Sequence, residues 1–446
     1  MKQPPLPSLL PERILLPVQE FIRTEVASGA VLFAAALTAL VWANSPWNDS
    51  YFDLWRDTQI SVDFRIFSAS EDLQHWANDL LMVVFFFVVG LEIKRELLHG
   101  ELAGPRKAAL PAAAALGGMA VPALIYVALN TSENTVDGWG VPMATDIAFA
   151  LGVLALVGKR IPSRLRVFLL ALAVVDDIGA IAVVAVFYTD NLALDSLGIA
   201  AAVVALIVVL QAFGVRGTAL YLLLGLCLWA AVYQSGVHAT IAGVILGLLT
   251  PAQARIDQAT YAASMEGLLQ DYRQATEDSD EERREATLGE IEELTTGRSA
   301  PLERLERLLH PWSSFVVIPI FALANAGIDL SGGVLSDAAT SSVTYGVALG
   351  LIAGKLAGVL GVTWLAVRLR LADLPAGVTW PHMLGVALLA GIGFTVSLFI
   401  SGLAFERAEL VDEAKIGIFA ASIVAGATGF AFLRILTRPS AGGEPA

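Results

Sequence analysis

The chain has 446 residues, of which 56% are hydrophobic and 16% are charged, and its formal net charge is −14. A soluble globular chain carries roughly 25% charged residues, so this composition excludes an ordinary soluble enzyme and a disordered chain. An excess of acidic residues gives no electrostatic attraction to nucleic acid, and the single cysteine, Cys227, excludes an internal disulfide.

The apolar residues are concentrated in runs long enough to cross a lipid bilayer, for which a helix needs about 20 residues. Twelve runs meet this description: 26–43, 73–93, 108–129, 141–157, 167–188, 196–213, 218–233, 236–250, 313–328, 343–367, 382–404 and 413–436. The sequence therefore predicts an all-α polytopic membrane protein with about 12 transmembrane helices, in a transmembrane domain over 26–436.

The basic residues predict the orientation of these helices, because Lys and Arg are enriched in cytoplasmic loops. With an even number of spans and the N-terminus inside, 23 of the 28 basic residues fall in inner segments and four in outer segments. We therefore predict that both termini are cytoplasmic, as a segment 1–25 and a tail 437–446.

Two polar insertions separate the apolar runs. In segment 44–72, apolar and polar residues alternate from Ile60 to Ile66, which is typical of a strand. The segment is expected outside the cytoplasm, as a short β-hairpin whose edge can pair with a second copy, or as an irregular lid. Segment 251–310 holds 14 acidic residues and seven arginines, so we expect a solvated cytoplasmic helix or a disordered loop.

A charged residue near the bilayer centre costs roughly 2.5–3.5 kcal/mol, and four of the charged residues inside the apolar runs stand out. Asp176 and Asp177 are adjacent in the middle of one run, Lys355 is in the middle of another, and Asp146 lies in a third. A single Asp–Lys pair that fixes helix packing would leave two carboxylates unexplained. We therefore predict that these side chains face one another or a water-filled cavity, and that they are functional.

The chemistry of the carboxylates indicates what they do. Carboxylate oxygens bind hard cations and also bind protons. Burial and a neighbouring like charge both raise the pKa of a carboxyl group, so a close pair can titrate near neutral pH. A cation and protons then compete for one site, and exposing that site to each side in turn produces exchange.

Helix-breaking residues interrupt two of the runs. The fourth run contains Pro142 before Thr145 and Asp146, and the eleventh contains a second set: Gly391, Gly393 and Thr395. Glycines can also serve close helix packing, but unwound backbone at membrane depth is tolerated only inside protein or beside a cavity. We therefore predict two discontinuous helices. Each would belong to one of two related units, and the two units would have inverted topology if each contained an odd number of spans.

Five strings carry a specific resemblance: ATDIAFALGVLAL, LALAVVDDIGAIAVVAVFYT, QSGVHATIAGVILG, HPWSSFVVIPIFALANAGI and GIGFTVSLFI. They resemble the NhaA-type sodium/proton antiporters of bacteria, over about 26–436 except the 251–300 loop. The resemblance implies inverted-topology repeats with two discontinuous helices that cross near the site. It also implies electrogenic exchange of Na⁺, or Li⁺, for H⁺ across the inner membrane, for pH and sodium homeostasis.

The same resemblance implies roles for the buried charges. Asp177 would be the main carboxylate for cation and proton, and Asp176 would exchange between protonation and a salt bridge to Lys355. Thr145 and Asp146 would lie at the crossed breaks. Asp146 would compensate the positive helix ends there, and Lys355 the negative ones.

A second group of residues matches the entrance and pH response of the family: Glu92, Arg95, His238, Glu306 and His310. Glu92 and Arg95 are also spaced to pair with each other at (i, i+3), and His238 can equally be a satisfied histidine near a helix end. Arg307 stands where a titratable histidine is expected, and arginine does not titrate. The pH profile of the family is therefore not carried over.

Other functions fit the sequence less well. An intramembrane aspartyl protease usually has Asp after a Gly-x-Gly, but here Phe394 follows Gly393. A structural scaffold leaves the buried charges unexplained. A sodium-coupled solute symporter needs polar groups for its solute, and stays open as the alternative. We therefore predict a transporter in the lipid bilayer that is not an enzyme and has no cofactor. The resemblance also implies a homodimer formed through segment 44–72.

Overall fold

The structure is a computed structural model that describes residues 12–64, 67–158, 161–189, 192–215, 218–253, 258–298 and 300–437. The first eleven residues of the predicted N-terminal segment lie outside these ranges. So does the predicted C-terminal tail, apart from Thr437.

Twenty α-helices make up most of the described chain. They are α1 (Glu12–Ala43), α2 (Asn48–Phe52), α3 (Leu73–Trp76), α4 (Met82–His99), α5 (Pro105–Leu129), α6 (Ile147–Val157), α7 (Ser163–Phe187), α8 (Leu194–Ala212), α9 (Thr218–Tyr233), α10 (Thr240–Leu249), α11 (Gln258–Glu277), α12 (Glu281–Arg298), α13 (Pro301–Trp312), α14 (Ile318–Asn325), α15 (Val334–Ala338), α16 (Ser342–Leu349), α17 (Lys355–Arg368), α18 (Trp380–Leu389), α19 (Phe394–Ala404) and α20 (Ala408–Leu436). A 3₁₀ helix covers Val136–Met143, and π-helical turns connect neighbouring helices at Asp53–Asp57, Ala77–Leu81, Ser313–Val317 and Gly350–Gly354.

These helices correspond to the twelve predicted runs. Within the described ranges, nine helical stretches are long and apolar enough to cross a membrane, and α18 with α19 forms a tenth that is bent by 46°. Two shorter apolar helices, Leu220–Tyr233 and Thr240–Leu249, account for the remaining two runs. The all-α polytopic architecture is therefore confirmed.

One stretch begins earlier than the sequence indicated. The stretch Pro301–Asn325 starts twelve residues before the predicted run 313–328. The reason is that α13 is amphipathic, with Leu302 and Glu306 buried, and it continues through a π-helical turn into α14. Glu306 and His310 therefore lie on a membrane-length helix and not in a loop.

The surface of the bundle carries large apolar side chains, as expected of a protein that faces lipid. Val186, Leu222 and Ile423 are each more than 60% exposed. Soluble monomers rarely expose contiguous apolar patches of more than a few hundred Å². The exposed apolar faces thus match a hydrocarbon environment.

Glycines allow two helix pairs to pack at backbone contact. A Cβ at Gly117 of α5 would overlap the Gly358 carbonyl of α17, and a Cβ at Gly90 of α4 would lie 2.9 Å from the Val244 carbonyl of α10. Small residues let membrane helices approach in this way. The close packing of α5 on α17 fixes the depth of Lys355, the first residue of α17.

The predicted β-hairpin is confirmed. Strand β1 (Gln59–Phe64) pairs with β2 (Phe67–Asp72) in antiparallel register, with Ile60 opposite Glu71. Just before it, the buried Tyr51 hydroxyl donates to the Leu323 carbonyl (2.8 Å) and accepts from the Gly327 amide (3.1 Å). Burial raises the pKa of Tyr51 to about 12, so this hydroxyl stays protonated and ties the segment to α14 at ordinary pH.

The acidic segment forms two helices. Helices α11 and α12 pack against each other as a helical hairpin, which favours the solvated helix over the disordered loop. The Leu302 amide donates to the Pro251 carbonyl (3.1 Å), so the two ends of the insertion lie side by side.

Candidate ion-binding site

The two interrupted helices meet at their interruptions. Residues 144–146 separate the 3₁₀ helix from α6, and residues 390–393 separate α18 from α19. The Asp146 amide donates to the Ile392 carbonyl (2.7 Å), and the Thr145 hydroxyl lies 3.0 Å from the Ala390 carbonyl. The first break therefore donates hydrogen bonds to backbone carbonyls of the second. Irregular backbone that is buried in a membrane needs such partners.

Two glycines of the second break lie in close contact with neighbouring segments. A Cβ at Gly391 would lie 2.6 Å from the Leu351 carbonyl, and one at Gly393 would overlap the Ser397 hydroxyl. Each glycine thus lies both in the helix break and in a close packing contact. Helix breaking and close packing, which the sequence left open as alternatives, therefore both apply.

Asp146 serves the N-terminal ends of two helices at once. Its Oδ1 accepts from the Phe149 amide (3.0 Å) in the first turn of α6. Its Oδ2 accepts from both the Thr395 amide (3.0 Å) and the Thr395 hydroxyl (2.6 Å), in the first turn of α19. Helix N-termini carry partial positive charge, so one buried carboxylate is stabilised by two helix dipoles.

A second buried carboxylate links three segments. Lys355 Nζ donates to Asp176 Oδ2 (2.6 Å), and the Thr145 hydroxyl lies 2.7 Å from the same oxygen. All three side chains are inaccessible to solvent. A buried carboxylate needs such partners, because an unpaired charge in a medium of low dielectric constant is very unfavourable.

Asp177 differs from its neighbour in having no protein partner. It is 3% exposed, and within the ranges that the structure covers its carboxylate makes neither a hydrogen bond nor an ion pair. Asp176 Oδ1 likewise has no hydrogen-bond partner there. The groups that act electrostatically on Asp177 are Asp176, Glu92, Asp146 and Lys355. Three carboxylate oxygens are therefore left for a ligand from outside the chain.

A second cluster joins α4 to α13. The Arg95 guanidinium pairs with Glu306 and lies 3.4 Å from Glu96 Oε1, and His310 Nε2 is 3.8 Å from Glu92 Oε1. The (i, i+3) pair of Glu92 with Arg95 is therefore not the contact that forms. The reason is that α13 packs on α4 and places Glu306 beside Arg95 and the His310 ring beside Glu92.

His238, which was predicted to take part in the pH response, and Arg307 lie elsewhere. His238 precedes α10, its Nδ1 is 2.9 Å from the Thr240 hydroxyl, and its Nε2 is 3.6 Å from Asp79 Oδ1. Lys94 binds the carbonyl of Leu248 at the other end of α10, so His238 does not belong to the Arg95 cluster. Arg307 is exposed and lies outside the contacts of that cluster.

Three charged residues with tertiary contacts were not singled out from the sequence. The signal for Glu96, which is buried, is its place one helical turn after Glu92, and the signal for Asp79 is that it lies in an apolar run. Lys415 is 2% exposed and lies 3.7 Å from Asp412 Oδ1. Helix α20 begins at Ala408 and buries Lys415 inside the bundle.

Interrupted membrane helices that meet beside buried carboxylates define a secondary ion transporter. Comparison with known families agrees: the family model described as Na⁺/H⁺ antiporter 1 matches residues 19–433. The chain belongs to this family, the NhaA-type sodium/proton antiporters, and it is a transporter and not an enzyme.

Curated relatives match over nearly the whole chain. A Na⁺/H⁺ antiporter NhaA 2 of Syntrophotalea carbinolica is 46% identical over 428 residues, which is 95% of this chain and 97% of the relative. A Na⁺/H⁺ antiporter NhaA of Oleidesulfovibrio alaskensis is 46% identical, with 97% and 96% covered. A Na⁺/H⁺ antiporter NhaA 3 of Frankia alni is 48% identical, with 94% and 88% covered.

Proposed function

We propose that the chain extrudes Na⁺, and also Li⁺, by electrogenic exchange for protons, and that Asp177 and Asp176 form the shared site. The observation that carries the proposal is the pair of adjacent, buried carboxylates of which three oxygens have no partner among the residues that the structure describes. Carboxylate oxygens bind hard cations and protons alike. The same oxygens can therefore hold one Na⁺ or protons, but not both.

The contacts of Asp176 suggest how two protons exchange for one sodium ion. With Lys355 paired to Asp176 Oδ2, the Asp176 carboxylate is ionised and its Oδ1 can join Asp177 around Na⁺. When Na⁺ leaves, one proton binds Asp177 and a second binds Asp176, which releases Lys355. Two protons then move in one direction for each Na⁺ that moves in the other, so one net charge crosses the membrane per cycle. Each net charge is worth roughly 2.3 kcal/mol per 100 mV of membrane potential.

The crossed breaks position the site in this proposal. Thr145 orients Asp176, and Asp146 compensates the positive ends of α6 and α19 together with Thr395. Gly391 and Gly393 let the second break pack closely against Leu351 and Ser397. Lys355 would compensate the negative helix ends as well as pairing with Asp176. Movement of the crossed unit would then expose Asp177 to each side in turn.

We further propose a plasma-membrane location with both termini cytoplasmic. The bias of basic residues toward one side supports this orientation. It places the segment 1–25, the acidic helical hairpin within 251–310 and the tail 437–446 in the cytoplasm. The β-hairpin within 44–72 then lies outside, and 26–436 forms the membrane domain.

Proteoliposomes with a trapped pH dye and an acidic interior test the function. Added Na⁺ or Li⁺ should release protons without any organic solute, and a potential that is positive inside should accelerate the release, because two protons leave per cation that enters. K⁺ in the same assay measures selectivity. Sodium uptake with no proton release, or only with an added solute, would favour the symporter alternative; indifference to potential would contradict the electrogenic cycle.

The cluster of Arg95, Glu306, Glu92 and His310 is proposed as the cytoplasmic entrance and pH response. We expect Glu306→Gln to shift the pH of half-maximal exchange by about one unit. The reason is that Arg95 loses its closest ionic partner, so the positive charge of Arg95 acts more strongly on the Glu92 carboxylate. The measurement is the exchange rate from pH 6 to 9. The control is Glu303→Gln, because Glu303 is exposed in the first turn of the same helix. An equal shift in both variants would contradict the assignment.

We propose that the β-hairpin forms a homodimer interface. Its two strands pair with each other, so each keeps one edge without a strand partner within the described chain, and Ile60 is 42% exposed. Such edges pair readily with a second copy. Replacing residues 59–72 by a short Gly-Ser linker should give monomers in native mass spectrometry at a detergent concentration where the unaltered chain is dimeric. A persisting dimer would place the interface elsewhere.

A further inference from the structure

The 3₁₀ helix Val136–Met143 is held in the bundle by hydroxyl groups from three other helices. Tyr126 of α5 donates to the Thr135 carbonyl (2.7 Å), and Tyr188 at the end of α7 donates to the Asp137 carbonyl (2.5 Å). Ser397 of α19 donates to the Val141 carbonyl (2.8 Å). An irregular segment leaves carbonyls that membrane protein interiors must satisfy, and here side chains do so.

Tyr126 is the more enclosed of the two tyrosines. Its side chain is fully buried, and a Cβ at Gly138 of the 3₁₀ helix would overlap its hydroxyl. A Cβ at Gly346 of α16 would lie 2.8 Å from its ring. The tyrosine therefore fits one arrangement of these segments, and a displaced 3₁₀ helix would collide with it or lose its hydrogen bond.

Both tyrosines belong to helices that build the ion site. Helix α5 also carries Gly118, where a Cβ would lie 3.7 Å from Lys355 Nζ. Helix α7 carries Asp176 and Asp177, and Tyr188 is its C-cap residue; the Tyr188 hydroxyl also accepts from the Gly140 amide (3.3 Å). The 3₁₀ helix leads directly into Thr145 and Asp146. The tyrosines thus connect α7, which carries the carboxylates, and α5, which packs beside Lys355, to the segment that carries Thr145.

We propose that Tyr126 and Tyr188 are positioning residues of the ion site. By holding the carbonyls of Thr135 and Asp137, they fix the depth of the 3₁₀ helix and so the distance between Thr145 and Asp176. Neither hydroxyl touches the transported ion. This inference rests on the proposed function, because it assigns the tyrosines to the geometry of that same site.

Tyr126→Phe tests the inference, since it removes one hydroxyl and keeps the ring. We expect the half-saturating Na⁺ concentration to rise about threefold to tenfold, as loss of one buried hydrogen bond allows, with the maximal rate within about twofold of the unaltered chain. The same change should be smaller when Thr145→Ser is already present, because coupled residues are not additive. The measurement is proton release against Na⁺ concentration in proteoliposomes.

Tyr51→Phe is the matched control, since Tyr51 is equally buried and its hydroxyl bonds backbone groups of α14, away from the interrupted helices. An equal rise in that variant, or full additivity with Thr145→Ser, would overturn the inference. If Tyr126→Phe does not fold, Tyr188→Phe carries the test, because its hydrogen bond is near the surface. Absence of exchange in the unaltered chain would overturn both proposals; normal exchange with an unchanged half-saturating concentration would overturn this one alone.

Discussion

Asp177→Asn is expected to abolish Na⁺-dependent proton release, with a loss of more than about 100-fold in rate. Asparagine has nearly the same shape but neither a charge to bind Na⁺ nor a group that takes up a proton. Since Asp177 has no protein partner within the described chain, the substitution breaks no ion pair and should leave the fold intact. The pH-dye assay at several pH values measures the loss.

The control for this prediction is Asp195→Asn. Asp195 is an exposed carboxylate in the first turn of α8, so its neutralisation should leave exchange unchanged. Melting curves of both variants in detergent should match the unaltered chain. Normal exchange by Asp177→Asn would remove this residue as the carrier of cation and proton, whereas a large fall in melting temperature would show that Asp177 has a structural partner.

The buried charges could be found from the sequence because charge within an apolar run is costly, which makes each one conspicuous. Their partners could not. Lys355 pairs with Asp176 across 179 residues, and periodicity within one helix carries no information about contacts between distant helices. The residue patterns alone left open which of three carboxylates pairs with the lysine, and only the family resemblance indicated Asp176. Only the packing of α5 on α17 and on α7 brings Asp176 and Lys355 together.

The cluster that joins α4 to α13 also shows that contacts between distant helices cannot be predicted from the spacing within one helix. Glu92 and Arg95 are correctly spaced to pair along one helix, yet Arg95 contacts Glu306 across 211 residues. A local pair contributes only about 0.2–0.5 kcal/mol, so a partner presented by tertiary packing readily displaces it.

Glycine and proline were informative where hydropathy was not. The pattern with Gly391, Gly393 and Thr395 indicated a break, and the structure has one at 390–393. The partner of that break, at 144–146, was indicated by Pro142 and the polar residues that follow. That Asp146 bonds both helix starts could not be read from either segment, because it depends on how the two breaks are aligned in space.

Lys355→Ala is expected to lower stability strongly, by about 3–5 kcal/mol, because it leaves the buried Asp176 carboxylate without its ionic partner. Lys355 and Asp176 are both fully buried, so solvent does not screen their interaction. The loss is measured as a lower melting temperature in detergent by intrinsic fluorescence. Some exchange should remain, since Asp177 keeps its oxygens.

Two further variants show whether the loss comes from the ion pair. Lys94→Ala removes a lysine whose partners within the described ranges are the carbonyls of Leu248 and Thr250, so it should cost about 1 kcal/mol or less. Lys355→Ala combined with Asp176→Asn should melt higher than Lys355→Ala alone, because removing both charges leaves no uncompensated charge. If Lys355→Ala melted like the unaltered chain, the pair would not stabilise the fold. If the double variant melted no higher than the single one, the loss would come from the cavity left by the lysine stem, and Asp176 would be held chiefly by Thr145.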